Sequence, residues 1–184
     1  MTERPERKRS RSIRRSPFLE LWEHDVATGG GERTVVTLEL RDWVVIAARD
    51  TSGRWILVEQ HRHGVDGLTL EPAGGIVDEG EEPGLAASRE LLEETGYGGG
   101  APRSLGSCHP NPALSANRAH FFLIDGARKE CEPACPPDEL THVVLLGDED
   151  LDVALAQGRI THALAEIALT RARRETSAVL ARLA

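Results

Sequence analysis

Hydrophobic positions follow two different periods along the chain, and together they predict a mixture of strands and helices. Short apolar runs separated by glycine-rich or Asp-Thr-Ser-Gly turns predict one hairpin over residues 18–40 and another over residues 43–60. The same criteria predict further strands over residues 68–71, 105–109, 119–124 and 142–146, and helical spacing predicts helices over 82–95, 148–156 and 160–174. This order of elements, without an internal repeat, indicates the α+β class.

The segment 82–95 has the clearest helical pattern. Leu85, Ser88, Leu92 and Thr95 fall on one stripe, which we expect to face the core, while charged residues occupy another stripe. Pro83 stands where proline is accepted in a first helical turn, and a glycine follows the segment where a helix stop is expected.

Composition narrows the class of protein. With 184 residues, 40% hydrophobic and 28% charged, the chain is expected to be globular. It contains no apolar run of 18 residues and no apolar signal-peptide stretch, which predicts a cytoplasmic protein without a membrane span. Cys108, Cys131 and Cys135 are an odd number, so reduced thiols are favoured over half of a zinc site without its second pair.

Charge is distributed unevenly. Residues 1–15 carry seven Arg or Lys and two Glu, a formal charge of +5. Because the whole chain has a formal charge of −8, the remaining residues together carry −13. We expect residues 1–17 to be a disordered arm and 18–184 to form a single domain. The acidic body makes nucleic acid an improbable partner, because phosphate contacts supply most of that affinity, and suits it to bind a divalent metal ion.

Three carboxylates stand together at the end of the predicted helix 82–95. Glu90, Glu93 and Glu94 occupy positions i, i+3 and i+4, so they share one helical face and repel each other unless a cation lies between them. Hard oxygen donors of this kind favour Mg²⁺ or Mn²⁺ over zinc. Arg89 can orient one carboxylate through a bidentate pair. A solvated acidic helix face is an equally good explanation of the three glutamates alone.

The residues around this cluster favour the metal site. The segment 75–97, GIVDEGEEPGLAASRELLEETGY, resembles the Nudix box G-x5-E-x7-R-E-U-x-E-E-x-G-U, where U is aliphatic. Every fixed position matches, from Gly75 and Glu81 through Arg89 to Gly96, and only Tyr97 departs from the pattern. Seven matches at about one in ten each give a chance of ~10⁻⁷ for one window.

The resemblance implies a Nudix fold, an α/β/α sandwich with a mixed β-sheet, the box as loop–helix–loop, and the hairpin 18–41 as an N-terminal extension. It also implies an enzyme that uses Mg²⁺, with Mn²⁺ as an alternative. Carried over by position, Glu90, Glu94 and the backbone carbonyl of Ala73 are the leading metal ligands. Glu93 binds a further metal ion or activates water, and Arg89 belongs to the catalytic set.

Residues outside the box indicate the substrate class. The segment VEQHR, residues 58–62, resembles the E-Q-x-R segment of the ADP-ribose and nucleotide-sugar pyrophosphatases, which assigns Gln60 and Arg62 to substrate binding, with Arg62 on a phosphate. Gly75 shapes the substrate loop, and Pro112 resembles a proline of that group's downstream loop. Trp22 is predicted either to stack on a nucleobase or to pack in a subunit interface.

The sequence leaves two features of this site open. Glu71 adjoins Pro72 directly, where the group has an aliphatic residue between them, so Glu71 receives no role. No Asp or Glu occurs between Tyr97 and Phe121, where some relatives carry a general base. We therefore predict Glu93 as the base, with His109 and the acids of residues 138–139 as alternatives.

These features together predict a homodimeric Nudix pyrophosphohydrolase. Its expected reaction is Mg²⁺-dependent hydrolysis of ADP-ribose, or of a similar nucleoside diphosphate sugar, to a mononucleotide and a sugar phosphate. The hairpin 18–41 is the predicted dimerisation element. The alternatives are a hydrolase of other nucleoside diphosphates or triphosphates and a non-catalytic Nudix domain that senses a ligand.

Overall fold

The computed structural model describes residues 4–134 and 141–183, the last seven of them by their backbone alone. Contacts divide the chain into two units, one of Met1–Asp42 with Cys108–Arg118 and one of Trp43–Ser107 with Ala119–Ala184. None of the helices in the described ranges is both long enough and apolar enough to cross a membrane.

The first unit is built on a three-stranded antiparallel sheet in the order β1-β2-β3. Strand β1 covers Glu6–Arg15, β2 covers Leu19–Thr28 and β3 covers Gly31–Leu40. The predicted hairpin 18–41 is therefore present as β2 and β3.

The basic segment corrects one prediction. Residues 6–15 form a fully exposed strand paired with β2, where the sequence predicted a disordered arm over residues 1–17. Acidic side chains of β2 provide the reason, because Arg11 pairs with Glu23 and Arg15 lies 4.0 Å from Glu20. Contacts accordingly group this segment with the hairpin, whereas the sequence predicted a boundary between them.

The second unit contains a seven-stranded mixed sheet in the order β10-β5-β6-β4-β9-β7, with β8 paired to β9. Its strands are β4 Trp43–Asp50, β5 Trp55–Arg62, β6 Gly67–Ile76, β7 Tyr97–Gly98, β8 Arg103–Cys108, β9 Ala119–Lys129 and β10 Thr141–Leu146. Strands β4 and β9 run parallel, which makes the sheet mixed. The predicted β4–β5 hairpin pairs only near its turn, because β6 lies between the two strands over the rest of their length.

Helices cover both faces of this sheet. Helix α1 is Pro83–Thr95, α2 is Asp148–Ala156 and α3 is Ala163–Leu183. Alternate strand residues pack to opposite sides: Ile46 and Ile56 join the cluster that contains α1, whereas Ala47 and Leu57 join the cluster that contains α2 and α3. The predicted α/β/α sandwich of the α+β class is thus confirmed.

Helix α1 has the predicted bounds but a different buried face. It ends at Gly96, whose φ of 71° is the left-handed conformation of a helix stop. Within the predicted stripe Thr95 is buried, but Leu85 is 66% exposed, and the helix also buries Ala86, Ala87 and Leu91. Small side chains on this face permit a close approach to the sheet, which brings the glutamates at the end of α1 next to strand β6.

Candidate active site

Arg89 is the centre of an ion-pair network around the box. Its Nε and Nη2 atoms donate to the two carboxylate oxygens of Glu81 at 3.0 and 2.8 Å. Its Nη1 atom lies 2.8 Å from Glu90 and 3.2 Å from Glu93, and Nη2 also donates to the carbonyl of Ile76 at 3.1 Å. One guanidinium therefore holds three carboxylates and the loop before α1, where the sequence predicted contact with one carboxylate.

Two glycines of strand β6 let the carboxylates approach the backbone. The Gly74 N–H donates to Glu94 Oε2 at 3.0 Å. A Cβ atom at Gly75 would lie 2.3 Å from the carboxylate of Glu90, and one at Gly74 would lie 2.5 Å from the backbone carbonyl oxygen of Val44. A larger residue is therefore excluded at Gly75 by the side chain of Glu90 and at Gly74 by the backbone of strand β4.

Substitution of each glycine by alanine is expected to give different results. Gly75→Ala displaces the flexible end of Glu90, so turnover should fall about tenfold or more while the melting temperature changes little. Gly74→Ala meets fixed backbone of β4, so the free energy of unfolding should fall by about 1–3 kcal/mol. Thermal unfolding and steady-state kinetics of the two variants check this, and equal loss of stability in both would contradict the assignment.

Charges in this network shift two carboxyl groups in opposite directions. Burial raises the pKa of Glu90, and the neighbouring charges of Glu93 and Glu81 raise it too, although Arg89 partly offsets them. Hydrogen bonds from Arg89 lower the pKa of Glu81 to about 2. Glu81 is thus a fixed anion that positions Arg89, whereas Glu90 is a crowded carboxylate that an additional cation would stabilise.

The four predicted metal ligands are not all brought together. Across the described ranges 4–134 and 141–183, no three His, Cys, Asp or Glu side chains are grouped closely enough to hold a metal ion. The reason is that Arg89 contacts Glu90 and Glu93, while Glu94 accepts from the Gly74 N–H. The carboxylates share one end of α1 as predicted, but protein donors engage them.

The backbone carbonyl predicted as a ligand at Ala73 points away from Glu94. The Ala73 carbonyl and the Gly74 N–H belong to one peptide unit, and no peptide bond in the described residues is cis. In a trans peptide these groups point in opposite directions, so the Ala73 carbonyl points away from Glu94. The N–H and C=O groups of one strand residue point to the same side, so the Gly74 carbonyl is directed towards the side of Glu94.

A cavity of about 550 Å³ lies beside Gly74 and Gly75 of strand β6, and its volume is within the range typical of small-molecule sites. Trp43, Val45, Val65, Pro72 and Leu164 contribute apolar lining, and Arg62, Thr69, Glu71 and His162 contribute polar lining. Gly74 and Gly75 also line it, which places the cavity next to the backbone that contacts Glu94 and Glu90.

Arg62 lines this cavity as part of an ion pair. Its Nε and Nη2 atoms donate to the carboxylate of Glu71 at 3.0 and 2.9 Å, and its side chain is 44% exposed. Gln60, also predicted to bind substrate, is buried, and its Nε2 atom is shielded from solvent and has no hydrogen-bond partner among the residues that the structure describes. Gln60 and Arg62 are two residues apart on β5 and so point to the same face of the sheet, but of the two only Arg62 lines the cavity.

Sequence reasoning missed Glu71 and His162. Glu71 is 3% exposed, and His162 Nδ1 lies 2.6 Å from its Oε2 atom. A glutamate in an otherwise apolar strand was a signal that it needed a buried cationic partner. No spacing in the sequence connects it with His162, which is 91 residues away and just precedes α3.

Other predicted residues lie in the first unit. Trp22 stacks on His24 with ring centroids 6.3 Å apart and donates from Nε1 to Glu39 at 3.1 Å. His109, the alternative base, has Nδ1 3.2 Å from the Asn117 carbonyl and Nε2 3.3 Å from Arg118. Pro112 lies in the same unit, and the substrate contacts predicted for it and for Trp22 stay predictions.

Two further predictions concern residues that lie partly outside the described ranges. The alternative base in residues 138–139 lies outside the described residues, as does Cys135. Cys108 and Cys131 are free cysteines.

Comparison with known proteins gives consistent results. The model of the NUDIX domain family matches residues 39–164. A CMP-5'-(N-acetyl-N-hydroxy-3-aminopropyl)phosphonate hydrolase of Streptomyces rubellomurinus is 34% identical over 119 residues, covering 64% of this chain and 57% of that protein. The ADP-ribose pyrophosphatase of Bacillus subtilis is 32% identical over 82 residues, covering 45% and 44%, and that of Mycobacterium tuberculosis is 32% identical over 112 residues, covering 60% and 54%.

The chain spans about half the length of these curated relatives. A solved structure described as an ADP compounds hydrolase superposes with a TM-score of 0.84 at 20% identity, covering 97% of both chains. At that identity the superposition supports the fold alone.

Proposed function

Because this chain belongs to the NUDIX family, we propose that it hydrolyses the diphosphate bond of a nucleoside diphosphate sugar, with ADP-ribose as the preferred substrate. The observation that carries the proposal is that two glycines of strand β6 adjoin both the carboxylates of α1 and the cavity. Gly74 and Gly75 touch the carboxylates of Glu94 and Glu90 and also line the cavity that holds Arg62. A substrate in the cavity would thus have its phosphates near the acidic end of α1.

The proposed cofactor is Mg²⁺, since Nudix hydrolases generally use divalent metal ions. The donors are of the type that a hard cation prefers, because they are carboxylate oxygens and a backbone carbonyl and because burial already destabilises the charge on Glu90. The carboxylates would have to move closer together to hold the ion. Glu90 and Glu94 would hold it, with the Gly74 carbonyl in place of Ala73, and Glu93 would hold a further ion or activate water. When bound, the ion would neutralise the diphosphate and favour ionisation of water.

The protein's own residues would then divide the remaining tasks. Arg89 keeps Glu90 and Glu93 on one side of α1 and ties them to the loop through the Ile76 carbonyl. Glu93, which is 49% exposed, is the proposed general base, because it is the accessible carboxylate of the set. Water attacks one phosphorus atom, the bridging oxygen leaves with the other phosphate, and a mononucleotide and a sugar phosphate result.

Arg62 is the proposed phosphate contact, because a planar guanidinium pairs well with phosphate oxygens. Relatives named ADP-ribose pyrophosphatase and ADP-sugar pyrophosphatase support this substrate class. The relative from Streptomyces rubellomurinus is named for a CMP-linked phosphonate, which keeps other anhydride-linked nucleotides as the second candidate class.

Arg62→Ala is expected to raise KM for ADP-ribose by about ten- to a hundredfold with a smaller change in kcat. The substitution also removes two hydrogen bonds from Glu71, so a matched control is needed. Thr69→Val supplies it, since it removes another hydrogen bond from Glu71 and leaves Arg62 in place. An unchanged KM in Arg62→Ala, or an equal rise in Thr69→Val, would remove Arg62 from the phosphate contacts.

Competition between substrates tests the preferred substrate directly. ADP-ribose, GDP-mannose, ATP and a dinucleoside diphosphate are mixed at equal concentrations with Mg²⁺, and products are quantified by chromatography. The proposal predicts that ADP-ribose is consumed fastest. Fastest consumption of another compound would retain the chemistry and replace the substrate, whereas binding without turnover of any compound would favour a ligand-sensing domain.

The proposed assembly is a homodimer formed through strands β2 and β3. Strand β3 lies at an edge of the β1-β2-β3 sheet and is ten residues long, which supports an extended pairing surface in this hairpin. Trp22 would then serve either this interface or the nucleobase.

A further inference from the structure

Glu71 is a buried carboxylate that receives four hydrogen bonds. Two come from Arg62, one from Thr69 Oγ1 at 2.5 Å and one from His162 Nδ1 at 2.6 Å. Burial alone would raise the pKa of Glu71, but the hydrogen bonds from His162, Arg62 and Thr69 hold it well below its usual range. Glu71 is therefore an anion, and it accepts every one of these bonds.

An anionic Glu71 fixes the tautomer of His162. The Nδ1 atom must carry a proton in order to donate to the carboxylate, so a ring that carries a single proton has its lone pair on Nε2, which then acts as an acceptor. The ring lines the cavity, and its side chain is 37% exposed. Among the described residues, Glu71 is the one hydrogen-bond partner of this ring. The structure thus leaves the Nε2 lone pair to a ligand or to water.

The backbone of His162 is fixed as well. Its carbonyl oxygen accepts from the Ala165 N–H at 2.9 Å and from the Glu166 N–H at 3.2 Å, which makes it the cap of helix α3. Backbone and ring are both held, so the acceptor has a defined direction at low entropic cost.

We infer that His162 is a specificity-determining residue whose Nε2 atom accepts a hydrogen bond from a sugar hydroxyl of the substrate. Phosphate oxygens are acceptors and do not match this lone pair, whereas a hydroxyl donates to it. Arg62 and His162 bind the same carboxylate, so a substrate phosphate on Arg62 places its attached sugar next to His162. This inference rests on the proposed function.

Two variants separate the contact with substrate from the contact with Glu71. The amide N–H of His162→Asn can replace Nδ1–H towards Glu71 and also suits a helix cap, but it leaves the Nε2 position empty. His162→Gln places a polar group near the Nε2 position and loses the Nδ1–H donor. Thermal unfolding reports on the structural contact in each variant.

The kinetic test uses ADP-ribose and two analogues, one without a hydroxyl on the nucleoside ribose and one without a hydroxyl on the terminal ribose. Wild-type protein should prefer ADP-ribose to at least one analogue by about tenfold in kcat/KM. His162→Asn should unfold at the wild-type temperature, show a KM for ADP-ribose about tenfold higher, and lose that preference. The analogue against which the preference is lost in His162→Asn identifies the ribose whose hydroxyl contacts His162.

Other results would overturn the inference. If His162→Asn keeps the wild-type KM and preference while His162→Gln is impaired, His162 acts only through Glu71. Nitrogen-15 spectra of histidine-labelled protein, assigned with His162→Asn, should show a proton on Nδ1 and none on Nε2, and a proton on Nε2, alone or together with one on Nδ1, would also overturn it. Failure of the wild-type protein to hydrolyse ADP-ribose would defeat the proposed function itself. That result differs from one in which the wild-type protein hydrolyses ADP-ribose and His162→Asn keeps the same KM and preference, which would overturn this inference alone.

Discussion

Glu94→Gln is expected to lower kcat by on the order of 10³-fold while the protein keeps its fold. A metal ligand supports several kcal/mol of charge stabilisation in the transition state, and each 1.36 kcal/mol corresponds to about a factor of ten in rate. The glutamine retains an oxygen that can accept from the Gly74 N–H, so the contact between α1 and β6 persists. The variant therefore removes a charge and not a structural bond.

Steady-state kinetics with saturating Mg²⁺ and circular dichroism measure these two effects. Glu82→Gln is the matched control, because Glu82 precedes the same helix, is exposed, and makes no capping hydrogen bond with its side chain. Turnover of Glu94→Gln within about threefold of wild type would defeat the metal assignment. A collapse of the circular dichroism signal would mean that Glu94 serves the fold.

Arg89→Ala is expected to lose both activity and stability. Without the guanidinium, Glu81, Glu90 and Glu93 lose their shared partner, and the Ile76 carbonyl loses a donor. Because Arg89 is 29% exposed, solvent offsets part of the loss, and we expect a decrease of about 1–3 kcal/mol in the free energy of unfolding. Misplaced carboxylates should lower kcat by about 10²-fold or more.

Arg89→Lys separates charge from geometry in this prediction. A lysine keeps the positive charge but cannot engage Glu81 with two parallel hydrogen bonds while it also contacts Glu90. It should recover part of the stability and little of the turnover, as measured by thermal unfolding and kinetics. Full recovery of turnover by lysine would show that Arg89 supplies charge alone.

The sequence predicted the helix of the box because its signals are local. Pro83 and Gly96 mark the ends of α1, and the spacing of Glu90, Glu93 and Glu94 requires only helical geometry. The face that α1 buries was predicted only in part, because Thr95 is buried as expected and Leu85 is exposed. Hydrophobicity favoured Leu85, but the close approach to β6 selects the small residues Ala86 and Ala87.

Features that depend on distant partners could not be predicted. Strand β6 separates most of β4 from β5, and nothing in those two strands specifies an intervening neighbour. The basic segment 6–15 lacks hydrophobic alternation, so its pairing follows from acidic residues of β2.

The polar side of the cavity shows the same limit. The sequence segment around Arg62 predicted that Arg62 binds substrate. Its partner Glu71 also accepts a hydrogen bond from His162, which lies 91 residues away in sequence. Ala73 was likewise chosen by its position in a motif, while the direction of its carbonyl is set by the bond between Gly74 and Glu94. Local motifs thus identified the elements of the site, and tertiary contacts determined which atoms face it.

The most direct test of the central claim is the production of AMP from ADP-ribose by the purified full chain, measured by chromatography with Mg²⁺ and with excess chelator. The proposal predicts stoichiometric AMP and ribose phosphate in the presence of Mg²⁺, and loss of at least 10²-fold of that rate with chelator. An unchanged rate with chelator would contradict the role of the carboxylates on α1. No AMP from ADP-ribose under either condition would contradict the proposed reaction.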